Sequence, residues 1–146
     1  MPDIRLFKGK YAFLSNFYVT PIFLWGVHWP SSEHLYMAMK TEDKEIREKI
    51  RMAPTSAKAK RLGRDLHLRP GWEEMKVEAM LGILRLKFIA GSIIAQWLLD
   101  TGESQLIEGN YWHDQFWGDC ECPRHKGTPG KNMLGTLLMQ VREELQ

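Results

Sequence analysis

The segment WPSSEHLYMAMKT, residues 29–41, places a carboxylate and an amine seven positions apart. Pro30 followed by two serines is typical of a helix start, so Glu33 falls in the first turn of a predicted helix. Because residues seven apart share a helix face, Lys40 lies on the same side. There a carboxylate can move protons, and a lysine with a depressed pKa can attack a carbon as a neutral amine. The alternatives are a carboxylate that only interacts with the helix dipole and a lysine that extends to the surface.

Three clusters combine aromatic rings with hydrogen-bonding groups. The first is YAFLSNFY, residues 11–18, which contains Asn16; the second is the segment above, and the third is EGNYWHDQFWGDC, residues 108–120. In the second cluster, His34 is either a capping or core histidine or an acid–base partner. Aromatic walls with a few polar groups suit a nucleobase or another planar ring, although a core of large residues gives the same pattern. Three such clusters in one small chain favour a ligand pocket.

The segment CECPRH resembles part of a zinc site, because it supplies Cys120, Cys122 and His125. A fourth ligand would have to come from elsewhere, such as His113, and the spacing differs from the usual Cys-x2-Cys. We therefore predict no metal and no cofactor. A disulfide between two cysteines separated by one residue would be strained, so we expect a reducing, cytoplasmic environment.

Positive charge is concentrated in residues 44–69, although the formal net charge of the chain is only +2. This segment holds nine lysine or arginine residues against three acidic ones. The excess suits phosphate groups or a nucleic-acid backbone, and the alternative is the solvated outer face of two helices. No apolar run is long enough to span a membrane, and the N-terminus lacks the pattern of a signal peptide.

The pattern of residues predicts an α+β fold, a mostly helical single domain with a small N-terminal β element. FYVTPIFLWGVHWP, residues 17–30, predicts two short strands around a turn. A further strand is expected at 106–108, followed by an irregular loop over 109–130. The predicted helices are Ser31–Thr41, Asp43–Arg51, Thr55–Leu66, Trp72–Ala90, Ser92–Asp100 and Asn132–Leu145.

The motifs FLSNFY, WPSSEHLYMAMK, AKRLGRD, WHDQFWGD and GKNMLGTLLMQVREEL follow one another along nearly the whole chain. In this order they resemble the NADAR domain family, the YbiA-like N-glycosidases. The resemblance implies one NADAR domain over residues 1–146 that cleaves an N-glycosidic bond. The implied substrates are a phosphorylated ribosylamino-pyrimidine of riboflavin synthesis or ADP-ribosylated guanine in nucleic acid. We therefore expect a phosphorylated, nucleotide-like small molecule or a modified nucleic acid as the partner.

The resemblance also implies roles for particular residues. Glu33 matches the essential glutamate, and Lys40 matches a lysine proposed to form a Schiff base with ribose. Trp72 and Asp114 match further positions that matter for activity. The positions expected to bind substrate are Asn16, Phe17, Trp29, His34, Trp117, Gly118, Asn132 and Gly135. The alternative function is a non-catalytic module that binds ADP-ribose or NAD, which would need no carboxylate at the scissile bond.

Overall fold

The computed structural model describes residues 1–146 and confirms the α+β class. It contains six α-helices, one 3-10 helix over Gly9–Leu14 and two small two-stranded sheets. The chain divides into two compact units, which are treated separately below: a central unit of residues 16–87 and a terminal unit of residues 1–15 and 88–146. No helix has both the length and the apolar character needed to cross a membrane.

The central unit begins with the predicted hairpin, which the structure confirms. Strand β1 is Val19–Leu24 and strand β2 is Val27–Ser31; they pair antiparallel. The two turn residues both have positive φ, 56° at Trp25 and 76° at Gly26, as a tight hairpin turn of type I′ requires. The indole of Trp29 donates to the Leu24 carbonyl at 3.1 Å and is 2% exposed. Trp29, which was expected to bind substrate, is therefore a buried residue that links the two strands of the hairpin.

Four helices complete the central unit: α1 Ser32–Met39, α2 Lys44–Arg51, α3 Ser56–Arg64 and α4 Trp72–Lys87. The first three begin at side-chain caps, Ser31, Asp43 and Thr55, each accepting backbone N–H groups of the following turn. Helix α1 packs against β2 and the other three helices, so its residues 32–38 are all buried. All four predicted helices are present, and their ends lie within three residues of those that the sequence indicated.

The terminal unit holds helices α5 Ile93–Asp100 and α6 Met133–Leu145. The strand predicted at 106–108 is only an isolated bridge from Leu106 to Ile4. The sheet lies further on, where β3 Gly109–Asn110 pairs in parallel with β4 Asp119–Cys120. The region predicted as an irregular loop therefore contains regular pairing. Two-residue strands have no periodicity in the sequence, which explains the error.

The N-terminal end of α6 is held by two residues of the GKNMLG motif. Asn132 has a left-handed φ of 50°; its Oδ1 accepts from the Glu108 N–H and its Nδ2 donates to the Leu106 carbonyl, both at 2.9 Å. At Gly135, a Cβ would overlap that same carbonyl oxygen. Both positions were expected to bind substrate. Their contacts show that they hold segment 106–108 against α6.

Replacing Gly135 with Ala should lower the free energy of unfolding by about 2 kcal/mol or more, because backbone atoms must move to make room. Gly82→Ala is the matched control. It lies inside α4, where an added methyl group would meet open space, so it should raise stability by up to about 1 kcal/mol. Urea denaturation of both variants and the wild type measures this, and equal stability of the two variants would contradict the close approach.

Candidate functional site

Glu33 and Lys40 lie at opposite ends of α1 on one face, about 10 Å apart along the helix axis. Glu33 is 6% exposed and sits in the first turn, while Lys40 is the half-buried residue that ends the helix. Burial lowers the pKa of the Lys40 amine, and the Glu33 carboxylate partly opposes that shift. The charges of Lys60 and Lys76 lower the pKa of Lys40 further. The carboxylate and the amine therefore interact, and the amine is easier to deprotonate than an ordinary lysine.

Aromatic rings line the same part of the central unit. The Lys40 ammonium lies 5.7 Å from the ring centroid of Tyr36, and the Tyr36 ring lies 5.3 Å from that of Trp72 at an angle of 51°. Trp72 is 4% exposed, so its indole packs against the Tyr36 ring in the interior of the central unit. Lys60 lies 5.6 Å from the centroid of Phe17, which is 41% exposed. Of the rings of Phe17, Tyr36 and Trp72, that of Phe17 is the most exposed, so a planar ligand could stack on it.

The sequence analysis missed Tyr36, Lys60 and Lys76 as members of this cluster. Tyr36 had a usable signal, because its position between Glu33 and Lys40 gives the helical spacing i, i+3, i+7. The two lysines had none, since each resembles any other charge on a helix surface. We refer to Phe17, Glu33, Tyr36, Lys40, Lys60, Trp72 and Lys76 as the lysine–aromatic cluster.

Asn16 fixes the start of α1 and with it Glu33. Its main-chain oxygen accepts from the Glu33 N–H at 2.9 Å, and its side-chain oxygen accepts from the Ser32 hydroxyl at 3.0 Å. The amide nitrogen of Asn16 makes a weak contact of 3.7 Å with the sulfur of Met80. These contacts hold the first turn of α1, which carries Glu33, and the expectation that Asn16 binds substrate stays a prediction.

His34 fits the first of its two interpretations, a core histidine. It is 1% exposed, its Nδ1 lies 2.7 Å from the Ser31 hydroxyl, and its Nε2 lies 3.0 Å from the Ala53 carbonyl. Because a carbonyl oxygen only accepts, Nε2 carries the proton and Nδ1 accepts from Ser31. Burial lowers the pKa of His34. The ring therefore stays neutral and joins the α1 cap to the segment that precedes α3.

In the terminal unit, Asp114 organises a turn. Its Oδ1 accepts from the N–H groups of Phe116 and Trp117 at 3.1 and 2.8 Å, and Asn110 holds the Asp114 carbonyl at 2.8 Å. The Trp117 carbonyl accepts from the Leu134 N–H at 3.0 Å. At Gly118, a Cβ would overlap the Glu108 carbonyl. Through the hydrogen bond between Trp117 and Leu134, this turn contacts the first residues of α6.

The predicted site residues thus fall into two groups. Those of the terminal unit are Asp114, Trp117, Gly118, Asn132 and Gly135. Those of the central unit are Asn16, Phe17, Trp29, Glu33, His34, Lys40 and Trp72. Within the central group, Glu33, Lys40, Phe17 and Trp72 share the lysine–aromatic cluster.

The order of motifs and the structure agree with the comparison to known families, in which the NADAR domain matches residues 6–146. The chain belongs to the NADAR domain family. The predicted family is therefore confirmed, while the assignment of residues 1–146 to a single domain stays a prediction.

Relatives of this NADAR protein carry two kinds of name. It is 39% identical over 140 residues to the Escherichia coli N-glycosidase YbiA, covering 94% of this chain and 84% of YbiA. It is 42% identical over 139 residues to a riboflavin biosynthesis protein of Vibrio vulnificus, covering 94% of this chain and 36% of that protein. The chain thus spans little more than a third of the Vibrio protein.

A solved structure of a relative has the same fold as this chain. The NMR structure of Escherichia coli YbiA matches with a TM-score of 0.83 at 37% identity, covering 98% of this chain and 83% of that chain. The enzyme class predicted from the resemblance is confirmed at the level of the family, in which relatives of this chain are named N-glycosidases.

The lowered pKa of His34 predicts a specific dependence of stability on pH. The unfolded state binds a proton on this imidazole near its ordinary pKa, while the folded state resists it, so stability is present above about pH 6.5 and falls as the pH drops below that value. Between about pH 7.5 and 5, the free energy of unfolding of the wild type should fall with pH by up to about 1.4 kcal/mol per unit because of His34, and His34→Gln should not show this part of the fall. Urea denaturation at several pH values measures this difference from the wild type.

The control is His67→Gln, which changes an exposed histidine. It should retain the slope of the wild type. If His34→Gln also kept that slope, the buried neutral imidazole would be excluded as its source.

Proposed function

We propose that this NADAR protein is an N-glycosidase that cleaves the ribose–nitrogen bond of a phosphorylated ribosylamino-pyrimidine, an intermediate of riboflavin synthesis. One observation carries the proposal: a buried carboxylate, Glu33, shares a helix face with an amine of lowered pKa, Lys40. A module that only binds ADP-ribose would need neither the buried carboxylate nor the more readily neutral amine. N-glycoside cleavage uses both.

The reaction adds water across the bond between C1 of ribose and the exocyclic nitrogen. The nitrogen leaves as an amine, so it must gain a proton, and positive charge develops on the sugar as it departs. In our proposal, Glu33 delivers that proton and its charge then stabilises the sugar, a contribution worth about 10²–10⁴ in rate. The carboxylate regains a proton from the attacking water.

Lys40 supplies the covalent part of the proposal. The ribose ring opens when its C1–O4 bond breaks and the proton of the exocyclic N–H passes to O4. The neutral amine of Lys40 then adds to C1, one of its protons passes through Glu33 to the pyrimidine nitrogen as the C1–N bond breaks, and an imine joins Lys40 to the ribose. Water then adds to the imine carbon, which releases ribose phosphate and restores the amine. Burial and the charges of Lys60 and Lys76 support this role, because both effects increase the neutral fraction of Lys40.

The remaining members of the lysine–aromatic cluster suit the rest of the substrate. Lys60 offers positive charge for the phosphate, and the exposed ring of Phe17 offers a face for the pyrimidine. Lys76 pairs with Glu73 at 2.7 Å. Trp72 contributes by supporting Tyr36 rather than by direct stacking. Asp114 lies in the terminal unit, where its Oδ1 is engaged by two backbone N–H groups, and its part in the reaction stays a prediction of the family resemblance.

A small substrate is favoured over nucleic acid by the contacts of the basic segment. Three of its nine cations already have partners in the central unit, two of them main-chain carbonyls and one a surface carboxylate. Arg47 donates to the Thr41 carbonyl at 2.8 Å and stacks on Trp25, Arg51 pairs with Glu48, and Arg69 donates to the Met39 carbonyl. The segment is thus less of a phosphate-binding surface than its composition indicated. The alternative reaction, removal of ADP-ribose from guanine in nucleic acid, is one of the outcomes that the product analysis below distinguishes.

The first test is product analysis by chromatography and mass spectrometry with Glu33→Gln beside the wild type. The wild type should release free pyrimidine amine and ribose phosphate, and the variant should be slower by about 10²–10⁴. Glu45→Gln is the matched control, since Glu45 is also a first-turn glutamate but is exposed. It should keep full activity.

Other outcomes assign the alternatives. Cleavage of ADP-ribosylated guanine DNA, with no reaction of the pyrimidine, would replace the substrate. Tight binding of ADP-ribose by the wild type and Glu33→Gln alike, with no product from any substrate, would make the protein a binding module.

The second test traps the imine. Ribose 5-phosphate and borohydride should add a reduced sugar phosphate to residue 40, and the yield should rise with pH as the amine loses its proton. Because the pKa of Lys40 is lowered, trapping should begin at a lower pH than at an exposed lysine such as Lys44. Peptide mapping by mass spectrometry locates the adduct. Lys40→Ala should lose it, and Lys44→Ala, which removes an exposed lysine, should retain it; an adduct that persists in Lys40→Ala would reject the covalent role.

A further inference from the structure

Two cysteines and two histidines of the terminal unit converge on one point. The ligand atoms of His113, Cys120, Cys122 and His125 all lie within 4.8 Å of one another. We propose that these four side chains form a structural zinc site. The proposal is independent of the glycosidase reaction, and it departs from the sequence prediction, which assigned no metal.

Four of the six distances between the ligand atoms match the edges of a tetrahedron around one ion, and all six are within 4.8 Å. Bonds of about 2.3 Å to sulfur and 2.0–2.1 Å to nitrogen place ligand atoms about 3.4–3.8 Å apart in a tetrahedron. The two histidine Nδ1 atoms are 3.4 Å apart, and Cys122 Sγ lies 3.2 Å from each of them. Cys120 Sγ lies 3.8 Å from the Nδ1 of His113. All of these values lie within a few tenths of an ångström of the tetrahedral edges.

The fold brings the four ligands together from three local structures. Parallel pairing of Asn110 with Cys120 sets the two chain segments side by side. The side-chain oxygen of Asn110 accepts from the N–H groups of Trp112 and Asp114, which folds the chain so that His113 returns to the cysteines. A turn closed by the His125 N–H and the Cys122 carbonyl, at 3.1 Å, adds the last ligand.

The backbone at His113 has a positive φ of 70°, in the left-handed region. Apart from glycine, the residues that adopt this region most readily are histidine, asparagine and aspartate. Conformations of this kind cost about 1–3 kcal/mol and persist where the surroundings demand them. Here the left-handed turn directs the imidazole to the cysteine sulfurs.

The chemistry of the ligands indicates the metal and its role. Two thiolates and two imidazoles form the Cys2His2 set of structural zinc sites, and four protein ligands leave no position for water or substrate. Cys120 and Cys122 are 3% and 5% exposed, while His113 is exposed and His125 is half-buried, so the ion would lie at the surface with its two sulfur ligands on the inner side. The ion would cross-link the turn 110–114 to the segment 120–125. It would therefore hold the backbone around Asp114 without entering the reaction.

The sequence spacing concealed this site. Zinc motifs are read from pairs of ligands at fixed spacing, but here the cysteines are separated by one residue and the two histidines by twelve positions. Only the pairing of β3 with β4 brings His113 back to Cys120.

Elemental analysis of the purified full chain tests the proposal. Protein from zinc-supplemented medium, desalted without chelator, should contain one zinc per chain. Removal with a chelator and addition of Co²⁺ should give visible d–d bands of tetrahedral cobalt and ultraviolet thiolate-to-metal charge transfer. These readouts do not depend on enzymatic activity, so their failure is distinguishable from failure of the glycosidase proposal.

Variants identify the ligands. Cys122→Ser and His113→Gln should lose the zinc and the charge-transfer band, while His67→Gln, outside the cluster, should keep both. Circular dichroism reports whether each variant is folded, and the cobalt spectrum of the wild type needs no variant. Zinc well below one per chain in the wild type, cobalt bands without thiolate charge transfer, or equal zinc loss in His67→Gln would overturn the site.

Discussion

A carboxylate buried at the start of a buried helix is the constraint on which the rest of the central unit depends. Helix α1 has almost no exposed surface, yet it carries Glu33 in its first turn and ends at Lys40. Burying a carboxylate is unfavourable unless nearby dipoles and charges compensate for lost water. The dipole of α1 and the Coulomb interaction between Glu33 and Lys40 compensate for part of this loss. The hairpin, the Asn16 anchor and the His34 contacts all serve to hold this helix start in place.

Burial also acts on the amine at the other end of α1, where it makes Lys40 easier to deprotonate. Desolvation disfavours the charged form of Lys40, and two neighbouring lysines act in the same direction. Glu33 and Glu73 oppose this shift, and Glu73 also pairs with Lys76 at 2.7 Å. The net lowering of the Lys40 pKa suits the neutral amine that the proposed chemistry needs.

The terminal unit is built on another principle, because its long connecting region has little regular structure. Between residues 109 and 132, side chains take over the role of secondary structure. Asn110, Asp114 and Asn132 each bond to two or more backbone groups of neighbouring segments. Such bonds fix a loop as firmly as a strand pairing does, since buried backbone groups must find partners. The four side chains of the proposed zinc site would fix the same region through bonds to the metal, which are stronger than hydrogen bonds.

The sequence by itself determined the α+β class, the hairpin, the order of the helices and the family. These features depend on local signals, namely turn residues, helix caps and ordered motifs, that act within a few residues of one another. It also identified Glu33 and Lys40, because helical spacing alone puts them on one face. Only the tertiary structure decided that Trp29, His34, Asn132 and Gly135 hold the fold, that Lys60 and Lys76 act on Lys40, and that His113 meets Cys120. Those contacts join residues that are distant in the chain, and no local pattern records which of them will meet.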